Sequence, residues 1–214
     1  MCRLLFVKSN EKEFGILSYL EKFSVICKNS PEYQGHGWGL AYLDENNDWK
    51  YYKNIKPIWE DDLTQFSKTK RLLVHARSAF QDKDIVVENN MPFYDDEYVF
   101  IFNGELRGVR IKEEGRIGAE KIFNFIKKFN VGRMSEAFEK AISLIKKRTR
   151  QIKALNIIMA DKEEFYINNY FTERSEYFTM YEKDEDDVFT ICSMPFVEEN
   201  GWKKIGNNSL RVYI

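Results

Sequence analysis

The hydrophobic periodicity of the chain changes twice, and this constrains the fold more than any other feature. Apolar residues recur at helical spacing over residues 117–129 and 134–147, with further helices predicted over 11–27 and 58–66. Short apolar runs elsewhere predict strands over residues 3–7, 38–43, 49–53, 71–75, 97–102, 154–159, 165–170, 177–181, 188–192 and 210–214. No proline- or glycine-rich linker interrupts this order of strands, helices and strands. It predicts one α+β domain over residues 1–214, with two helices packed on antiparallel sheet.

The balance of charge excludes two classes of partner. The 214 residues include 33 Lys and Arg against 34 Asp and Glu, whereas nucleic-acid binders usually carry a basic excess or a basic face. The one dense basic run, residues 146–150, is typical of a solvated helix end, where cations also suit the helix dipole. No apolar stretch approaches the ~18 residues of a membrane span. We therefore expect no nucleic-acid partner and no membrane partner.

The cysteines and the start of the chain indicate a cytoplasmic protein. The chain has three cysteines, Cys2, Cys27 and Cys192. Their odd number and wide spacing argue against a disulfide framework and against a zinc site. The apolar run after Met1 is too short for a signal peptide, and no small-residue cleavage site follows it. We expect a cytoplasmic location, no metal and no cofactor.

Cys2 is the first residue that could carry chemistry. Removal of Met1 is expected because cysteine is small, and Cys2 would then carry both the thiol and the chain's α-amine. An α-amine has an ordinary pKa of ~7.7–8.0, so it can act as a base beside its own nucleophile. The alternative is that Cys2 is simply a small buried hydrophobe, as many cysteines are.

Alternate glycines mark the start of the second predicted strand, in Gly35-His36-Gly37-Trp38-Gly39. One interpretation is a bulge, or a place where another backbone packs closely. The other is a substrate that lies against bare backbone at Gly37 and Trp38. His36 is given no catalytic role, because a lone loop histidine is usually structural or exposed.

Two further strand ends carry polar residues. Arg77 follows His75 at the end of one strand, where an arginine either forms a surface ion pair or holds a substrate carboxylate with its two-pronged guanidinium. Asn103-Gly104 follows another apolar strand. The pair is either a turn, or a side-chain amide and a backbone N–H that face a developing oxyanion.

In this order the motifs resemble the class II glutamine amidotransferase domain, and most of all its small standalone branch. The resemblance covers essentially the whole chain and closes with Ser193-Met194-Pro195-Phe196 and Trp202. The principal matching stretches are Cys2-Arg3-Leu4-Leu5, Gly37-Trp38-Gly39-Leu40-Ala41-Tyr42, His75-Ala76-Arg77, Asn89-Asn90-Met91-Pro92-Phe93 and Phe102-Asn103-Gly104-Glu105-Leu106.

The resemblance implies an N-terminal nucleophile hydrolase fold, in which two antiparallel sheets lie between helix layers in an αββα sandwich. It also implies an amidohydrolase that attacks the side-chain amide of glutamine or a related γ-glutamyl amide. Ammonia or an amine leaves, a γ-glutamyl thioester forms, and water releases glutamate.

The resemblance assigns roles to particular residues. It implies that Cys2 is nucleophile and base, that Arg77 grips the substrate's α-carboxylate, and that Asn103 with Gly104 forms the oxyanion hole. The matched positions His75, Gly37 and Trp38 are predicted to contribute to substrate binding.

The chain departs from the family pattern at three positions. Gly118 stands where the family often has an acidic residue for the substrate's ammonium group. Either Glu120 replaces that residue, or the ammonium group is not recognised in this way. Met91 occupies a position that is frequently histidine in the family, and His36 occupies one that is frequently aspartate. The substrate therefore stays open between free glutamine and another γ-glutamyl compound.

Three functional hypotheses follow. The chain is an ammonia-supplying subunit whose partner is a separate synthase, or an independent γ-glutamyl hydrolase whose only partner is its small-molecule substrate. The hypothesis from a different class is a non-catalytic module that binds a glutamine-like ligand on the same fold.

Overall fold

The computed structural model describes residues 1–214 and is built mainly of antiparallel strands. The strands are β1 Arg3–Ser9, β2 Phe14–Gly15, β3 Trp38–Leu43, β4 Trp49–Asn54, β5 Lys68–Thr69, β6 Arg71–Ala76, β7 Phe93–Tyr94, β8 Val99–Val109, β9 Thr149–Ala160, β10 Phe165–Asn169, β11 Tyr181–Glu185, β12 Val188–Cys192, β13 Lys203–Lys204 and β14 Ser209–Tyr213.

Four α-helices and four short 3₁₀ helices connect these strands. The α-helices are α1 Ile16–Lys28, α2 Gly118–Lys127, α3 Met134–Arg148 and α4 Ser175–Phe178. The 3₁₀ helices are Ile58–Glu60, Leu63–Gln65, Phe80–Asp82 and Val87–Asn89. No helix is both long enough and apolar enough to span a bilayer.

Contacts within the chain define two compact units. The first unit combines residues 1–92 with residues 179–205, and the second combines residues 93–178 with residues 206–214. Each unit therefore contains a long segment and a shorter one that returns to it. The expectation of a single domain over residues 1–214 stays a prediction.

The first unit contains a seven-stranded antiparallel sheet in the order β13-β11-β12-β1-β6-β3-β4. The central strand β1 is buried along its whole length, as a strand covered on both faces should be. Helix α1 places Ile16, Leu20 and Phe23 in the core of this unit, since residues three and four apart share one helix face. The predicted start of this helix at residue 11 is wrong, because Phe14–Gly15 pairs with Lys68–Thr69 as a two-stranded ribbon.

The second unit contains a five-stranded antiparallel sheet in the order β14-β10-β9-β8-β7. Helices α2 and α3 pack on each other, and aromatic pairs join them to the strands. The rings of Phe100 and Phe123 stack with centroids 5.3 Å apart, and those of Phe138 and Tyr166 lie 5.7 Å apart. The two central helices lie within two residues of their predicted bounds, and the basic run falls at the end of α3 as predicted.

Two predicted elements are wrong. Residues 58–66 form two 3₁₀ helices in place of one α-helix. Residues 177–181 were expected to be a strand, but Ser175–Phe178 forms a helical turn and β11 begins only at Tyr181. Short apolar runs do not distinguish a strand from a helical turn. The predicted α+β class, with helices and two large antiparallel sheets, is confirmed.

Candidate active site

Cys2 lies immediately before the central strand of the first unit. Its thiol donates to the carbonyl oxygen of Ser78 at 3.7 Å, and its side chain is partly exposed. Cys27 and Cys192 are both buried, and burial raises the pKa of the Cys27 thiol and raises that of Cys192 to about 12. Since the thiolate is the reactive form, Cys2 is the best placed of the three to act as a nucleophile.

The start of the chain is fixed by hydrogen bonds on both sides of Cys2. The buried amide of Gln34 donates from Nε2 to the carbonyl oxygen of Met1 at 2.7 Å. The backbone N–H of Leu4 donates to Ser193 Oγ at 3.0 Å, and the backbone N–H of Ser193 donates back to the Leu4 carbonyl at 3.0 Å. The closing Ser193 motif therefore holds the strand that presents Cys2.

Arg77 lies just beyond β6 and is 5% exposed. Its guanidinium donates to the carbonyl oxygens of Asp84 at 2.9 Å and Val86 at 3.4 Å, and to Asn90 Oδ1 at 3.3 Å. Burial lowers the pKa of this guanidinium, while the charges of Cys2 and Asp84 oppose that shift. The arginine is therefore a buried cation whose hydrogen-bond acceptors are neutral oxygens, and the surface ion pair considered from the sequence does not form.

His36 braces the segment that follows Arg77. The Nδ1 of His36 accepts from the backbone N–H of Ala79 at 2.9 Å, and the backbone N–H of His36 donates to the Arg77 carbonyl at 3.1 Å. Burial lowers the pKa of the imidazole, Asp82 opposes this shift, and Arg77 and the chain's amino terminus add to it. His36 therefore has a structural role, which is one of the two that the sequence suggested for it.

We expect the brace to weaken in acid. The pKa of His36 in the fold lies below its ordinary value of ~6.5, so its contribution to stability is present above pH 6.5 and is lost as the pH falls through the folded pKa. A protonated Nδ1 cannot accept from Ala79, and loss of one hydrogen bond costs about 1 kcal/mol, or roughly 2–4 °C in Tm. In His36→Asn an amide oxygen can keep the acceptor without titrating. Between pH 7 and 5, the Tm of the wild type should fall more than the Tm of His36→Asn. An equal fall in both proteins would contradict the proposed role of the His36 imidazole.

The alternate glycines allow close packing of another segment. Gly37 has a φ of 101°, and a Cβ placed there would lie 2.1 Å from Asn90 Nδ2. A Cβ on Gly39 would lie 2.6 Å from the carbonyl oxygen of Met91. The close-packing interpretation therefore explains this pattern, and the space above Gly37 is filled by protein.

Trp38 and His75 are completely buried. The indole of Trp38 belongs to the core beneath α1, and its Nε1 donates to Asp61 Oδ2 at 2.9 Å. His75 lies in β6 between Leu4 and Gly39. Both side chains therefore pack within the sheet, and their predicted contribution to substrate binding stays a prediction.

Asn103 and Gly104 lie in the second unit, in the middle of β8. The predicted strand end at Phe102 is wrong, because β8 runs on to Val109 and pairs Asn103 with Asn156. The turn considered from the sequence is thereby excluded. A Cβ on Gly104 would lie 2.1 Å from the Ala154 carbonyl oxygen, so close approach of β9 requires glycine here. Asn103 is 1% exposed.

Glu120 lies in the first turn of α2, also in the second unit. Its carboxylate accepts from Arg116 Nε at 3.0 and 3.1 Å and from the Arg116 backbone N–H at 2.5 Å. The carboxylate predicted to receive a substrate ammonium group is thus engaged by a cation of the chain. Gly118 begins the same helix, with open space where its side chain would be.

The structure brings together Cys2, Arg77 and Gly37 in the first unit, whereas Asn103, Gly104 and Glu120 belong to the second. Sequence reasoning missed Gln34, which binds the Met1 carbonyl, and Asn90, which binds Arg77. The motif that contains Asn90 was recognised as a whole. Nothing in it distinguished the residue that contacts the arginine from its neighbours.

Comparison with known proteins finds similarity in structure but not in sequence. No protein-family model and no curated protein matches the chain. A class-II glutamine aminotransferase domain protein from Silicibacter pomeroyi matches 99% of this chain and 94% of its own, with 14% identity and a TM-score of 0.66. Glutamine phosphoribosylpyrophosphate amidotransferase from B. subtilis, in complex with ADP and GMP, matches 99% of this chain at 13% identity and a TM-score of 0.65. This chain spans 49% of that enzyme.

At 13–14% sequence identity, these comparisons show only the fold. They extend over essentially the whole chain, as the resemblance of the sequence motifs did. The fold is therefore that of the class II glutamine amidotransferase domains.

Proposed function

We propose that the protein is a cysteine amidohydrolase that cleaves the side-chain amide of glutamine or a related γ-glutamyl compound. The observation that carries the proposal is the pairing of Cys2 with Arg77. The partly exposed thiol donates to the carbonyl oxygen of Ser78, the residue after Arg77, and it interacts electrostatically with the buried Arg77 guanidinium. A nucleophile near a cation whose hydrogen-bond acceptors are neutral oxygens suits a substrate that carries a carboxylate. The fold neighbours support amide chemistry of this general class.

The proposed reaction begins after removal of Met1. The α-amine of Cys2 takes the thiol proton, and the thiolate attacks the γ-carbonyl carbon, so that a C–S bond forms and the carbonyl electron pair moves to oxygen. Asn103 and Gly104 are proposed to donate hydrogen bonds to that oxygen. The intermediate collapses as the C–N bond breaks, and the ammonium group of Cys2 returns its proton to the leaving amine. A water molecule, deprotonated by the same amine, then cleaves the thioester to release glutamate and the thiol.

Arg77 is expected to set the affinity for substrate. In Arg77→Lys, a point charge replaces the planar group that can form two parallel hydrogen bonds to a carboxylate. Loss of one charge-assisted bond costs roughly 1.5–3 kcal/mol, so KM should rise by about one to two decades while kcat changes less. Steady-state kinetics with L-glutamine measure both constants. An unchanged KM would show that Arg77 does not bind the carboxylate.

The decisive experiment is intact-mass spectrometry of the native protein, with and without a glutamine analogue that carries an electrophile in place of the amide. The expected result is a chain without Met1 that gains one equivalent of the analogue at Cys2. A chain that keeps Met1 and does not react would favour the non-catalytic binding module. Measurement of ammonia release from L-glutamine, alone and with candidate synthases, would then separate an independent hydrolase from an ammonia-supplying subunit.

A further inference from the structure

The amide group of Asn90 is held in one orientation. The side chain is completely buried, and its Nδ2 donates to the carbonyl oxygen of Asn54 at 2.9 Å. A carbonyl oxygen can only accept, so the NH₂ end of the amide must point towards Asn54. The oxygen end therefore points the other way, where Arg77 Nη1 donates to it at 3.3 Å.

The surroundings of Asn90 are built to hold this amide. The space that a side chain on Gly37 would occupy contains Asn90 Nδ2, and a Cβ there would also lie 2.6 Å from the Asn54 carbonyl oxygen. Gly37 therefore leaves room for the amide beside β4. Asn90 is in addition the one side chain among the three acceptors of the Arg77 guanidinium, since the other two are main-chain carbonyls.

We propose that Asn90 is a positioning residue that fixes the Arg77 guanidinium without neutralising it, and so determines that the site selects a substrate carboxylate. The inference rests on the proposed function, because it assigns the carboxylate to the substrate of that site. An amide oxygen accepts a hydrogen bond but carries no net charge, so the cation stays available to an anionic ligand. An aspartate of nearly the same shape would pair with Arg77 internally and compete with the ligand.

The test compares two properties of each variant. Calorimetry measures the Kd for L-glutamate, and steady-state kinetics measure kcat and KM for L-glutamine and for the α-carboxamide of L-glutamine. In Asn90→Asp, Kd for L-glutamate and KM for L-glutamine should rise about 10- to 100-fold, the range for loss of a charge-assisted interaction. The kcat for L-glutamine, and kcat/KM for the α-carboxamide, should stay within about threefold of wild type. A merely structural role would lower activity on both substrates together.

Asn169→Asp is the matched control. Asn169 is also buried, and its Nδ2 donates to the Gly206 carbonyl at 3.1 Å, so this variant loses a similar donor and gains the same charge in the second unit, whereas Arg77 lies in the first. Its ratio of L-glutamine to α-carboxamide activity should remain that of wild type. If Asn90→Asp fails to fold, as its melting curve would show, Asn90→Ala provides the second test. It should raise Kd for L-glutamate by about tenfold and leave kcat/KM for the α-carboxamide unchanged.

The outcomes separate this inference from the proposed function. If wild type binds L-glutamate but releases no ammonia, the proposed hydrolysis is wrong, and the Kd values of the Asn90 variants still decide the role of Asn90. If Asn90→Asp binds L-glutamate as wild type does, or if the Asn169 control shows the same loss, the role of Asn90 is overturned. If wild type does not bind L-glutamate at all, the inference falls as well, because Arg77 then does not receive a carboxylate.

Discussion

Cys2→Ala should abolish amide hydrolysis and thioester formation while the protein still folds. The thiol is the proposed nucleophile, and no neighbouring group could replace it in a covalent step. The fold should tolerate the change, because the side chain is small and the hydrogen bonds that hold β1 beyond it join Leu4 to Ser193. Ammonia release and intact mass measure the first effect, and the melting temperature measures the second.

The other two cysteines provide the control for this experiment. Cys27→Ala and Cys192→Ala should keep the reaction with a glutamine-analogue electrophile, since both thiols are buried and burial raises the pKa of each. Hydrolysis at the wild-type rate by Cys2→Ala would show that the nucleophile is assigned to the wrong residue.

Replacement of Asn103 should lower kcat by about 10²–10³-fold with little change in KM. A donor to a developing oxyanion acts mainly in the transition state, and removal of one such donor has an effect of this size. Asn103→Asp should be slower than Asn103→Ala, because it places a negative charge where another must form. Steady-state kinetics on both variants measure the difference.

Asn156→Ala is the matched control for Asn103. Asn156 is also buried and pairs with Asn103 across the β8–β9 ladder. Its amide donates to the Phe178 carbonyl oxygen and accepts from the backbone N–H of Tyr170. This variant should melt at a lower temperature but retain kcat. Near-wild-type kcat in both Asn103 variants would remove Asn103 from the proposed mechanism.

The sequence predicted best those elements whose pattern depends on burial alone. The strand β12 has its predicted bounds, and β1 and the two central helices differ from theirs by no more than two residues. Their apolar residues follow the spacing of a single buried face or of a fully buried strand. The end of β8 could not be predicted, because Asn-Gly favours a turn locally. There the close approach of the Ala154 carbonyl overrides the local preference.

The same division applies to the candidate site. The positions of Cys2 and Arg77, at the chain start and at a strand end, marked them as candidates, and the resemblance in the order of the motifs assigned their roles. Asn90 could not be predicted, since its role depends on contacts through space with Arg77 and with Asn54, which lies 36 residues away in the chain. Nor could the engagement of Glu120 by Arg116, because that contact depends on where α2 begins.

The position of β1 in its sheet determines how much of the chain must be synthesised before the proposed site around Cys2 is complete. The strand that follows Cys2 pairs with β6 on one side and with β12, residues 188–192, on the other. Pairing between segments so distant in sequence must wait until the ribosome has made both. The amino terminus therefore stays accessible to a methionine aminopeptidase while most of the chain is still being made. In the proposed mechanism Met1 is removed in this interval, and the proposed site is complete only when β12 has paired with β1.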